Sequence, residues 1–152
     1  MSAGRKNKTL AVWLALLGGT LGLHRFYLHG LGDVWGWLLP IPTALGVYGI
    51  QRAQAYGIDD PWSWVLIPLL GFTVAGCALT AIVYGLMTRE KWNARFNRAA
   101  GDDAASGGTS WFTIAAVVLS LLVGTTVLMA SIAFSFQRYF EYQIEEGRKI
   151  SQ

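Results

Sequence analysis

Histidine, cysteine and carboxylate side chains carry most protein chemistry, and this chain has few of them. Of its 152 residues, two are His, one is Cys and nine are Asp or Glu. His24 and His29 lie five residues apart, about 140° around a helix and off a common face. No acid or cysteine beside them supplies a third ligand. A metal or haem site is therefore not expected, and each His reads as an interfacial side chain bonded to backbone or water. Cys77 is alone, so it forms no internal disulfide. Ser120, Ser131 and Ser135 lie in an apolar stretch without histidine, where a serine nucleophile would lack a base. A Gly-rich phosphate loop and a Cys-x-x-Cys pair are missing too. No catalytic residue, metal or cofactor is assigned, and an enzyme is not expected.

Arg25 stands out by cost. At a bilayer centre an arginine costs about 2.5–3.5 kcal/mol on insertion scales. It must sit at an interface, snorkel, or find a partner. Asp33, eight residues on, is the nearest acid. The two are expected to pair and to fix the turn between them.

Composition sets the medium in which these residues work. Hydrophobic residues make up 53% and charged ones 14%, against roughly 25% charged in a soluble domain. That argues against a soluble enzyme, a disordered tail and a disulfide-stapled module. The net charge of +3 is mild, so no nucleic-acid partner is expected. Residues 9–24, 34–51, 61–88 and 104–137 contain no Asp, Glu, Lys or Arg. Crossing about 30 Å of hydrocarbon takes about 20 helical residues. Spans are expected at 62–87 and 111–136, and at 31–50 with Asp33 at its polar edge. The first span, from residue 9 to 23, reaches full length only if its helix runs on through Leu28. Trp35, Trp37, Trp62, Trp64, Trp111, Tyr139 and Tyr142 sit near the expected boundaries, as amphipathic rings do.

The expected fold is an all-α integral membrane protein with four transmembrane helices, the first two a tight antiparallel hairpin. Residues 1–60 would form the hairpin unit and 61–152 the second pair. A competing reading makes residues 1–22 a cleaved signal peptide, but Thr20-Leu21-Gly22 is a poor cleavage site. Gly18 with Gly22, and Gly32 with Gly36, are four apart and suit close backbone packing in lipid. Pro40 and Pro42 should bend or break the second span near Leu39. Lys91, Arg95 and Arg98 share a helical face, and Trp92 lies on the adjoining one with Phe96, Ala99 and Ala100. This suits a short interfacial helix on anionic headgroups. Residues 101–108 read as a flexible linker. The tail from 137 to 152 alternates charge, with Glu145 placed to pair Lys149, and could prolong the last helix. Four spans would put both termini on one side. Basic residues weakly place that side in the cytoplasm.

Lys8-Thr9-Leu10-Ala11, then Gly18 and Gly22, then His24-Arg25-Phe26-Tyr27-Leu28, resemble the TM-two domain family over about residues 5–50. That family is a pair of membrane helices joined by a short turn, with a His-Arg-Phe-Tyr-Leu-Gly motif in bacterial members. Here His29 stands before Gly30, where the family usually has Gly directly after Leu. The resemblance makes His24, Arg25, Phe26 and Tyr27 the motif residues of a membrane hairpin in a bacterial inner membrane, with Asp33 beside them as the expected partner of Arg25. It implies no agreed catalytic activity. The functional expectation is an accessory, assembly or scaffold subunit that packs against other membrane proteins or itself, in contact with lipid. The alternative is a small oligomeric transporter or channel, disfavoured by span interiors without ionisable groups.

Overall fold

A computed structural model describes residues 5–98 and 105–151, which form only helices and turns. Helix α1, Lys8–Gly18, is capped by the Asn7 side chain, which accepts from the Leu10 amide at 3.3 Å. It does not continue as expected. A 3₁₀ turn over Gly19–Leu21 leads to Gly22 at φ +75°, a left-handed conformation that ends the helix. Helix α2, Leu23–His29, then reverses the chain. Helix α3, Val34–Leu38, and helix α4, Pro40–Tyr56, are separated at Leu39. This break lies where Pro40 and Pro42 remove backbone donors. Helix α5, Pro61–Leu86, starts at an Asp60 cap and runs through Pro68. Helix α6, Arg89–Phe96, is followed later in the chain by a 3₁₀ turn over Ala105–Gly107. Helix α7, Trp111–Ile150, opens with a Ser110–Thr113 capping box and runs 40 residues without interruption. The tail from residue 137 is therefore part of α7, and within it Lys149 pairs with Glu146 rather than Glu145.

Helix α5 is the axis on which the others pack, chiefly through small residues. Side chains at Gly46 or Gly49 of α4 would collide with Leu70 and Leu66 of α5. Gly71 and Gly85 of α5 face Ser131 and Val117 of α7, and Gly124 of α7 faces Ala78. Val12 and Ala15 of α1 complete a core with Ala81 and Ala116. These contacts fix directions. Helix α1 runs antiparallel to the C-terminal half of α5, from Lys8 beside Met87 to Gly19 beside Cys77. Helix α4 runs antiparallel to the other half.

Two expectations need correction. The first two spans do not form a full-length antiparallel hairpin: α1 and α4 point the same way along α5. The antiparallel pair is instead the short α1–α2 hairpin, because Gly22 turns the chain at mid-height. The termini do not share an end either. Lys8 sits at the Met87 end of α5, whereas Arg138 of α7 reaches Asp59 at the opposite end, 3.2 Å away. Among the described residues two helices are long and apolar enough to cross a membrane, α5 and α7, with mean hydropathies of 2.2 and 2.3.

Candidate functional site

The α2–α3 turn is built by close backbone contact. Any side chain at Gly22 would collide with the Gly36 carbonyl, and one at Gly36 with the Phe26 ring. Phe26 in turn packs on Trp37, with ring centres 5.0 Å apart. Across this turn Arg25 donates from Nε to Asp33 Oδ2 at 2.5 Å and from Nη2 to Oδ1 at 3.3 Å. The fork-on-fork pair holds the Asp33 carboxyl below its usual range. The four glycines singled out by spacing behave differently. Gly22 and Gly36 meet each other, Gly18 packs on the nearby Leu23 side chain, and Gly32 faces open space.

Helix α6 fastens this hairpin to α5. Trp92 is fully buried against Ala11 and Leu28, and its Nε1 donates to the Lys6 carbonyl at 3.0 Å. The expectation of Trp92 at a lipid interface is therefore corrected: it is an inward anchor, while Lys91, Arg95 and Arg98 stay exposed. The amphipathic pattern gave the faces of α6 but not the medium each one meets. Asn97 accepts from the Lys6 amide at 2.7 Å. The Lys6 ammonium donates to the Tyr27 carbonyl at 2.6 Å, and the Asn7 amide to the Tyr27 hydroxyl at 2.8 Å. The motif tyrosine thus ties the chain start to α2. Ala99, Ala100 and residues 101–104 of the expected linker lie outside the described residues.

The two histidines part company. His29 is exposed at the end of α2, 6.0 Å from the Phe96 ring. His24 is buried rather than interfacial as expected, and its Nδ1 has no hydrogen-bond partner among the described residues. No group of three or more His, Cys, Asp or Glu placed to hold a metal occurs among the described residues.

A second turn, missed in the sequence reading, repeats the first. Arg52 donates from Nε to Asp60 Oδ2 at 2.9 Å and from Nη2 to Oδ1 at 2.7 Å. Trp64 Nε1 donates to the Ile58 carbonyl at 2.8 Å, as Trp37 Nε1 donates to Leu31 at 2.9 Å. Gly57 (φ 90°, ψ 168°) matches Gly30 (φ 86°, ψ 175°). The signal is present in the chain: Gly22, Arg25, Gly30, Asp33, Trp35 and Trp37 recur 27 residues later as Gly49, Arg52, Gly57, Asp60, Trp62 and Trp64.

No curated protein and no solved structure matches this chain. The TM2 domain family model matches residues 4–52, which include α1, the motif turn and most of α4, and this is the stretch whose residues resemble that family.

Proposed function

We propose that the protein is a non-catalytic, multi-pass subunit of a bacterial inner membrane that packs against larger membrane proteins as an accessory or assembly factor. One observation carries this reading. The most apolar stretches of α5 and α7 are only 28% and 17% buried within the chain. The core helix of a soluble protein would be largely covered. Leu79, Val83 and Leu86 of α5, and Leu121 and Leu122 of α7, face outward instead. Lipid and apolar partner helices are the surroundings that suit such faces.

The packing directions favour three crossings, by α3–α4, α5 and α7, with α1–α2 as a half-depth hairpin. Arg5, Lys6, Arg89, Lys91, Arg95 and Arg98 gather at the chain-start end, against Arg52, Arg138, Arg148 and Lys149 at the other. The basic excess favours a cytoplasmic chain start and α6, with the α7 tail outside. With Cys77 replaced by Ala, Ser151→Cys should label with an impermeant thiol reagent in intact cells, and Ser106→Cys only after lysis. The reverse pattern overturns the orientation.

The subunit role is tested by mild-detergent extraction and native mass measurement. Stoichiometric co-purification with a larger membrane protein is the expected result. A homo-oligomer that passes ions in liposomes would refute it.

A further inference from the structure

A cavity of about 320 Å³ opens between the motif turn and α5. Its walls are mostly apolar, with Trp35 and Phe72 among them, and Gly76 and Cys77 line it from α5. Two polar side chains, His24 and Arg25, reach it from α2. His24 is only 3% exposed, yet its Nδ1 has no partner among the described residues. Unpaired buried nitrogens are costly and uncommon. Arg25 spends Nε and Nη2 on Asp33, which leaves Nη1 to donate.

Charge decides what fits. Arg25 is already neutralised by Asp33. A phosphate or carboxylate entering beside that pair would be a buried anion without a counter-ion, a far larger penalty than one hydrogen bond returns. A hydroxyl carries no such penalty. It donates to or accepts from His24 Nδ1 in either tautomer and accepts from Arg25. We propose that this cavity binds the hydroxyl head of an uncharged lipid alcohol, with His24 and Arg25 holding the oxygen and the apolar walls holding the first carbons of its chain. The site rests on the membrane reading above, since its ligand is delivered by lipid.

The test is photolabelling of the full-length protein in phosphatidylcholine vesicles. Three probes carry the same diazirine: a ten-carbon alcohol, the matching alkane and the matching carboxylate. The vesicles are floated first, so failure of the membrane reading shows as protein that does not float, separately from the labelling. Peptide mass mapping should place the alcohol on segments 22–42 and 72–80 at about fivefold the alkane yield, the ratio one net hydrogen bond supplies. Gly76→Leu should abolish this labelling. A side chain there meets open space, so the fold should tolerate it. His24→Phe should bring the alcohol down to the alkane yield. Equal yields from alkane and alcohol, a higher yield from the carboxylate, or unchanged labelling of Gly76→Leu would overturn the proposal.

Discussion

The turn from Arg25 to Trp37 and the turn from Arg52 to Trp64 use one set of parts at opposite ends of the bundle. Each has a forked Arg–Asp pair, a glycine at high positive φ, and an indole that closes on a carbonyl six residues back. Their surroundings differ. Asp60 also accepts from the Ser63 amide and hydroxyl and so caps α5, whereas Asp33 makes no side-chain cap for α3. Gly49 lies inside a helix, while its counterpart Gly22 breaks one. His24 is buried where Gln51 is exposed. A turn that caps a 26-residue helix serves as an end-piece. The same turn followed by a five-residue helix lies instead beside a cavity, joined to the short hairpin that Gly22 turns at mid-height.

Substitutions can separate the shared device from its setting. The largest gap is expected between Gly22→Ala and Gly49→Ala. Gly22 combines a left-handed backbone with a rigid carbonyl in the way, so alanine should cost about 3 kcal/mol. Gly49→Ala carries no backbone strain, but its Cβ collides with the Leu66 Cβ at the α4–α5 seam, and after the gain in helix propensity it should cost about 2 kcal/mol. Denaturant unfolding in detergent measures both, and equal losses would remove the distinction. Gly30→Ala and Gly57→Ala should instead match each other. Both positions face open space at dihedrals nearly exclusive to glycine, so backbone strain of about 1–3 kcal/mol is the whole effect.

Acid should distinguish the turns next. The Arg52 guanidinium, helped by Ser63, holds the Asp60 carboxyl far below the ordinary carboxylate range, and Arg25 depresses Asp33. A depressed carboxylate contributes stability above its unfolded pKa and loses it as pH falls through the folded one. The Arg25 turn should therefore loosen at a higher pH than the Arg52 turn. Backbone hydrogen exchange around Val34 and around Trp62 over an acid series reads this, and simultaneous opening would contradict it. The smallest effect belongs to Gly32→Ala, which has no neighbour to meet and should shift stability by less than about 0.5 kcal/mol.

Much of this was written in residue order. Charge-free stretches located α5 and α7, paired prolines located the break at Leu39, and the cost of a lone arginine pointed to Asp33. The failures have physical causes as well. Gly18 and Gly22 have the spacing of a packing face, but spacing does not distinguish a helix that continues from one that Gly22 ends in the left-handed region. Once α1 stopped halfway, the direction of α4 relative to α1 and the placement of the two chain ends changed with it. Trp92 was misplaced because an apolar helix face meets lipid or protein with the same pattern. Gly46 and Gly49 were overlooked because they are three apart, not four, although they form the contact between α4 and α5.

The length of α7 has one more consequence. At about 1.5 Å per residue its 40 residues extend about 60 Å, twice the hydrocarbon layer. Helices have no joints, so a twist imposed on Ile150 is carried as by a stiff shaft to Ser131, where α7 seats against Gly71. A partner that grips only the protruding stalk would thereby hold a handle on the middle of the bundle without ever entering the bilayer.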